Sequence, residues 1–317
     1  MTARQTVGDV GELALVERIR AVVGAQGGDV LVGPGDDAAV LAAPDGRMVV
    51  TTDMLVEGRH FRLDWSEASD IGHKAAAENL ADLAAMGARP VGLVVALAIP
   101  ESTEIAWLDG FLGGLLEEAG RGGAALVGGD LVSGDRVVVS VTALGDLEGR
   151  APVLRSGAQS GDVLALCGEV GSAAAGLAVL SRGFRSPRAL VDAHRRPKPD
   201  YAAGQRAALA GATAMLDVSD GLLLDASRLA RASGVVVDVD SASLPVAEAV
   251  QSAAAAYNLD PLTWALGGGD DHALLATFAE ADVPEGFTVI GRVSSGDGQV
   301  RVDGEPVDPQ GYEHFRA

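Results

Sequence analysis

The stretch AMLDVSDGLLLDASRLARASGVVVDV, residues 214–239, decides the fold. Ala214–Val218 is a short apolar run broken only by Asp217, and Ser219-Asp220-Gly221 has turn chemistry. Leu222–Ala232 then carries apolar residues at helical spacing, and Val235–Val239 is a second apolar run. Strand, helix and strand in alternation are the unit of an α/β layer. Working outward, a helix over Val246–Tyr257 and strands over Ala273–Phe278 and Phe287–Val293 follow. Upstream come a strand over Asp162–Leu166 and a helix over Ser172–Ser181. The basic, proline-bearing His194-Arg195-Arg196-Pro197-Lys198-Pro199 reads as a connection.

The first half reads the same way. Leu13, Val16, Ile19 and Val23 recur at helical spacing after Asp9. Val30–Val32, Ala38–Leu41 and Met48–Met54 are short strands, separated by Gly33-Pro34-Gly35 and Pro44-Asp45-Gly46. Ser69 or Asp70 caps an alanine-rich helix to about Met86, closed by Gly87 and Pro90. Strand Val91–Ile99, helix Thr103–Ala119, and strands Ala124–Val127 and Arg136–Leu147 complete a first α/β half, with the boundary near Arg150. Each half carries a Gly-Gly-Asp turn, at Gly128-Gly129-Asp130 and Gly268-Gly269-Asp270.

A chain of 317 residues, 48% hydrophobic, has room for two domains with sizeable cores. Its 24 Lys and Arg against 44 Asp and Glu give a formal charge of −20, which repels a phosphate backbone and argues against nucleic acid as a partner. Cys167 is the sole cysteine, so intrachain disulfides, CxxC redox pairs and cysteine zinc sites are excluded. Residues 1–12 lack the apolar core of a signal peptide, and the strongest apolar run, Val91–Pro100, is too short to span a bilayer. The expectation is a cytoplasmic protein without membrane insertion.

The acidic residues sit where solvating charge is not needed. Asp36-Asp37, Asp53, Asp82, Asp130, Asp217 and Asp220 lie at the ends of apolar strands or on an alanine-rich helix, beside small residues. Singly, each has an ordinary reading, as turn former, as helix N-cap for Asp220, or as surface charge for Asp82. Together they suggest a shared purpose. Two carboxylates about 4 Å apart repel by roughly 4 kcal/mol at an effective dielectric near 20, a conflict that a hard cation removes. Oxygen donors without a His–Cys cluster favour Mg²⁺, which works through a few carboxylates plus substrate phosphates. The glycines at 128, 129, 268 and 269 permit close approach of backbone N–H groups to anionic oxygens, although such segments also serve simply as turns. There is no GxxxxGK[ST] string, and the only lysines are Lys74 and Lys198, so a P-loop is ruled out. Kinase HRD/DFG motifs, HExxH and GxSxG are absent as well.

Eight strings, in order, resemble the thiamine-monophosphate kinase family of the superfamily that includes aminoimidazole-ribonucleotide synthetase. They are GPGDDAAVL (33–41), TTDMLVEGRHF (51–61), KAAAENLADLAAMGARP (74–90), LVGGDLVSG (126–134), LRSGAQSGD (154–162), LDVSDGLLLD (216–225), LGGGDDHALL (266–275) and GYEHF (311–315). The resemblance implies a two-domain α/β (α+β) fold of the aminoimidazole-ribonucleotide synthetase type. Residues 1–150 would form an ATP- and Mg-binding dimerisation domain whose sheet pairs across a homodimer into a barrel, and residues 151–317 a C-terminal α/β domain. By position it implies Mg²⁺ ligands at Asp37, Thr51, Thr52, Asp53, Asp82, Asp130, Asp217 and Asp220, with several ions. Nucleotide contacts fall at Gly129, Asp130, Arg155 and Ser219, acceptor contacts at His60, Asp270 and Tyr312, and the catalytic role on Asp130, Asp217 and Asp220. Glu78 and Asn79, one turn before Asp82, would orient ligands. Two departures stand out: Asp270 replaces the family's glutamate and His272 stands where tyrosine is common.

The activity so implied is ATP-dependent phosphorylation of thiamine monophosphate to thiamine diphosphate. A phosphate monoester has a second pKa near 6, so the acceptor is ionised at neutral pH without a general base. Catalysis then consists mainly of positioning and charge neutralisation, with Arg155 a fixed positive contact. His60 also reads as an ordinary loop histidine, and Tyr312 either stacks on the acceptor ring or packs on the core. Among relatives, selenophosphate synthetase lacks support because there is no reactive Cys in an N-terminal glycine-rich loop. The hydrogenase-maturation type lacks its cysteine-bearing tail, and aminoimidazole-ribonucleotide synthetase is the runner-up. From other classes, a non-catalytic Mg-nucleotide sensor and a two-metal phosphohydrolase remain open.

Overall fold

The structure is a computed structural model that describes residues 5–10, 12–24, 28–32 and 39–312. It divides into two units, Met1–Leu83 with Arg89–Gly149, and Ala84–Ala88 with Arg150–Ala317. No described helix is long and apolar enough to cross a membrane.

The first unit begins with helices α1 (Val7–Val10) and α2 (Glu12–Val23) and a two-stranded ribbon of β1 (Val30–Val32) and β2 (Val40–Leu41). Then come β3 (Val49–Val56), α3 (Ala68–Ala85), β4 (Arg89–Ile99), α4 (Ile105–Gly122), β5 (Ala125–Ser133) and β6 (Val138–Asp146). The last four strands form one sheet in the order β3-β6-β4-β5, antiparallel except for the parallel pair β4–β5. A parallel pair needs a crossover, and α4 supplies it. Its Ile105, Leu108, Leu112, Leu115 and Ala119 recur at three- and four-residue steps and are buried, and Gly123 closes it at φ 78°. α3 starts at Ala68, so Ser69 and Asp70 lie within its first turn rather than capping it, and Asp70 reaches back to accept the Glu67 N–H at 3.0 Å.

The sheet has two unlike faces. Val141, Val95 and Leu97 are buried on one, in register with the Thr51, Asp53 and Leu55 positions of β3. The other face carries Val50, Met54 and Val132, each at least half exposed. Gly128-Gly129-Asp130 is not a turn but part of β5, because parallel pairing with β4 continues through it (Val95↔Gly129, Ala96↔Asp130). A Cβ at Gly129 would stand 2.2 Å from the Val95 carbonyl oxygen, so glycine here is demanded by strand contact.

The second unit holds β7 (Val163–Cys167), α5 (Ser172–Ser181), α6 (Arg188–Arg195), α7 (Tyr201–Leu209), β8 (Ala214–Val218), α8 (Leu222–Ser233) and β9 (Val235–Val239). These are followed by α9 (Glu248–Ala256), α10 (Leu262–Gly267), β10 (Ala273–Phe278), β11 (Thr288–Ser295), β12 (Val300–Val302) and β13 (Glu305–Pro306). The seven strands run in the order β13-β12-β9-β11-β7-β10-β8. Only β12–β9 is parallel, so the alternation of strands and helices builds a mainly antiparallel sheet. α6 ends within the segment that reads as connection, taking its His194 and Arg195 as the last turn; the buried Leu190 and Val191 hold it as helix. Strands β7, β8 and β10 are buried at every residue, with Leu164, Leu166, Leu216, Val218, Leu222, Leu229 and Leu275 in one core. At roughly 1.5–3 kcal/mol per buried side chain, this core fixes the position of whatever the strand ends carry.

Candidate active site

In the second unit, three backbone segments meet at the end of β8. The chain leaves the strand at Val218 and turns through Ser219-Asp220-Gly221, with Gly221 at φ 126° acting as the N-cap of α8. Asp220 therefore precedes the cap and does not serve as it. The loop before β10 lies against this turn: Asp270 N–H donates to Ser219 O at 2.8 Å and His272 N–H to Val218 O at 2.9 Å. A Cβ on Gly269 would come within 2.4 Å of Ser219 O. From the C-terminal segment, Tyr312 N–H donates to Asp220 O at 2.9 Å. Asp217, Ser219, Asp220, Asp270 and Tyr312 are thus brought together. Asp270 and His272 both adopt left-handed backbone, at φ 69° and 53°, of the kind that costs about 1–3 kcal/mol and clusters at functional sites.

The carboxylates here are individually held. Asp217, 4% exposed, places Oδ2 3.1 Å from His272 Nδ1. Asp220 Oδ2 lies 2.6 Å from Arg228 Nη1. Neither aspartate's Oδ1 makes a hydrogen bond among the described residues. Asp225, buried on α8, accepts the N–H groups of Asp220 at 2.9 Å and Gly221 at 3.1 Å. Burial pushes its carboxyl up to about 6; the Asp220 N–H bond opposes this, and the charges of Asp217 and Asp220 add to it. Asp271 accepts the N–H groups of Gly171 (2.6 Å) and Ala173 (2.8 Å) at the start of α5, and burial raises it to about 7. Sequence reasoning missed Asp225, Arg228 and Asp271. The Asp225/Arg228 spacing of three on an amphipathic helix was the available signal.

Arg155 does not join this group. Its carbonyl accepts from Ser233 Oγ at 2.9 Å, at the C-terminal end of α8, and the residue is exposed. Twelve residues of helix put that end about 18 Å from the Asp220 turn.

The first unit contributes a second group. Thr51 Oγ1 donates to Asp82 Oδ2 at 2.6 Å, joining β3 to α3, and Asp53 N–H donates to Asn79 Oδ1 at 3.0 Å. The Thr51 contact follows from period-two alternation, which aims its side chain at the helix, whereas Asp53 uses a main-chain N–H that the edge strand β3 leaves open on its outer side. Thr52 points the other way, and its hydroxyl donates to Val141 O at 2.9 Å. His60 Nδ1 accepts the Val56 N–H at 2.9 Å, which places the proton of a neutral ring on Nε2. Its carbonyl lies 3.5 Å from the ammonium of Lys74, a buried lysine whose Nζ is 3.9 Å from Glu78 Oε1.

Asp130 stands apart. It is exposed, accepts the Leu131 N–H at 3.0 Å, and occupies the sheet face opposite Thr51 and Asp53, on the strand three places away, about 14 Å across the ladder. Gly128, Gly129 and Asp130 border a cavity of 760 Å³ beside this edge strand, walled by Leu108, Phe111 and Leu126. Asp37 lies outside the described residues.

Two domain models of one family match the chain. Residues 35–147 match the AIR synthase related protein, N-terminal domain, and residues 159–303 the AIR synthase related protein, C-terminal domain, so the fold is that of an AIR synthase related protein. The chain is 51% identical over 306 residues to the thiamine-monophosphate kinase of Mycobacterium tuberculosis, covering 96% of this chain and 91% of that one. Among solved structures, thiamine-monophosphate kinase from Stenotrophomonas maltophilia K279a superposes with a TM-score of 0.81 at 38% identity, covering 94% of this chain and 98% of that one. AaThiL complexed with AMPPCP and TMP superposes at 0.82 and 31% identity, covering 99% and 100%. The chain belongs to the thiamine-monophosphate kinase family.

Proposed function

We propose that this protein transfers the γ-phosphoryl group of ATP to the phosphate of thiamine monophosphate, giving ADP and thiamine diphosphate. The observation that carries the reading is the likeness over nearly the whole chain to thiamine-monophosphate kinases, joined to the Asp217–Gly221 turn and its buttressing segments. The acceptor phosphate, with a second pKa near 6, is ionised at neutral pH, so its oxygen attacks the γ-phosphorus while the bond to the β-phosphate oxygen breaks. No residue needs to remove a proton. His60, with Nε2–H fixed by the Val56 contact, donates to the acceptor phosphate. Asp270 and Tyr312, anchored to Ser219 and Asp220 through their backbones, bind the acceptor's organic part. Gly129, Asp130, Arg155 and Ser219 contact the nucleotide, and the cavity beside Gly129 offers an apolar wall for its base.

The donor set suits Mg²⁺. It consists of oxygens, and Asp217 and Asp220 each have one oxygen engaged by a neighbouring cation or imidazole and the other turned to no hydrogen bond among the described residues. Asp37, Thr51, Asp53, Asp82, Asp217 and Asp220 are the proposed ligands, with Asp217 and Asp220 catalytic; Thr52 and Asp130, which face the other side of the sheet, would serve a cation only apart from these, and Asp130 would be catalytic there. Held by these residues, Mg²⁺ would neutralise phosphate charge. Thr51 and Asn79 hold the first group in place, and His272 holds Asp217 in the second.

The half-exposed Val50, Met54 and Val132 on one sheet face support a homodimer formed through the first unit, whose role is ATP and Mg²⁺ binding and dimerisation. The cytoplasm is the proposed location, and neither nucleic acid nor a membrane is a partner. The test is product analysis with ATP, Mg²⁺ and thiamine monophosphate. ADP and thiamine diphosphate should appear only when the acceptor is present. Inorganic phosphate in place of thiamine diphosphate would make the protein a hydrolase, and no turnover a sensor.

A further inference from the structure

The Asp217–Gly221 turn carries a cation of the protein's own. Arg228, on the second turn of α8, places Nη1 2.6 Å from Asp220 Oδ2 and 2.6 Å from Asp225 Oδ1. Asp225 uses its other oxygen to hold the Asp220 and Gly221 N–H groups, so α8 grips Asp220 by backbone and side chain at once. Among the described residues, neither Asp220 nor Asp225 has another Lys or Arg partner. Asp225 is 2% exposed and fixed, whereas the Arg228 side chain is one-third exposed on a long stem and can swing outward without unpacking the helix. A divalent cation at Asp220 would meet the guanidinium a few ångströms away, and like charges at that range repel.

We propose that Arg228 is a built-in counter-ion, pairing with Asp220 and Asp225 when no divalent cation is bound and competing with the cation for Asp220. It thereby sets how much cation the site requires. The inference rests on reading Asp220 as a cation ligand, and it concerns a residue that acts through Asp220, not one that touches the reacting groups.

The test uses Mn²⁺ as probe, with binding to the full chain followed by electron paramagnetic resonance in the presence of a non-hydrolysable ATP analogue. Arg228→Gln should bind Mn²⁺ about tenfold more tightly than wild type. In EDTA it should melt below wild type, and Mg²⁺ should raise its Tm by more than it raises that of wild type. Arg228→Lys, which keeps the charge, should stay within about twofold of wild type. Should Arg228→Gln fail to fold, Arg228→Met keeps the packed stem and carries the same expectation. Asp220→Asn separates the two layers. If it binds Mn²⁺ as wild type does, the ligand reading of Asp220 falls. If it loses Mn²⁺ while the Arg228 variants bind no tighter than wild type, the counter-ion inference alone is overturned.

Discussion

His272 Nδ1 lies 3.1 Å from Asp217 Oδ2, and both side chains are almost fully buried at the end of β8. The pair ties the loop before β10 to the aspartate that interrupts an otherwise apolar strand. A buried carboxylate stripped of its partner carries the desolvation cost uncompensated, about 1–3 kcal/mol. His272→Ala should therefore lower the denaturant midpoint by an amount of that order, and His272→Gln, which restores a donor, should recover part of it. Equal midpoints for wild type and His272→Ala would show that the contact contributes nothing.

Asp217→Asn keeps the shape and removes the charge. Turnover should fall by at least about a thousandfold, the scale of a lost charge-stabilising group, while the circular dichroism spectrum is unchanged. A variant retaining more than a tenth of the wild-type rate would exclude Asp217 as a cation ligand.

Gly129→Ala would press a methyl group onto the Val95 carbonyl oxygen, 2.2 Å away. The strands must separate, at a cost of about 1–3 kcal/mol, and the melting temperature should drop by several degrees. An unaltered melting curve would mean that β4 and β5 do not approach as described.

Burial raises the Asp271 carboxyl to about 7, so between pH 3.8 and 7 the folded protein holds a proton that the unfolded chain has released. The stability from this group is complete below pH 3.8 and is lost as pH rises through that window, on the order of 4 kcal/mol in all. Asp271→Asn should flatten the stability profile over the window, as measured by urea unfolding at successive pH values. An identical profile in the variant would contradict the assignment.

Met54→Asp places a charge on the exposed sheet face beside Val50 and Val132. Sedimentation should show a dimer for wild type and a monomer for the variant. A monomeric wild type would remove the proposed interface.

Much of this architecture is readable from apolar patterning. The helix Ser172–Ser181 and the strands Ala214–Val218, Val235–Val239 and Ala273–Phe278 occupy the spans that their runs predict, because each run is bounded by glycine, proline or polar turn residues. The pattern fails where a local signal competes with a tertiary contact. Gly128-Gly129-Asp130 reads as a turn, yet the Val95 carbonyl requires an absent Cβ in the middle of a strand. Pro197 and Pro199 disguise α6, whose buried Leu190 and Val191 precede them. The helices Tyr201–Leu209 and Leu262–Gly267 are too short for a clear period. At the site, the sequence names the acidic residues without saying which way they point. Period-two alternation sends Thr51 and Asp53 to the helix face and Asp130 to the other, and only the strand register reveals it. Helical spacing of three shows Arg228 beside Asp225, but its second partner, Asp220, is brought to it by the turn before α8 and is not legible from spacing.

The most direct measurement follows the γ-phosphoryl group itself. With γ-labelled ATP, Mg²⁺ and thiamine monophosphate, the label should enter the terminal phosphate of thiamine diphosphate, one for each ADP formed, and should not transfer in Asp217→Asn. Label recovered as inorganic phosphate, or transferred equally well by Asp217→Asn, would contradict the account.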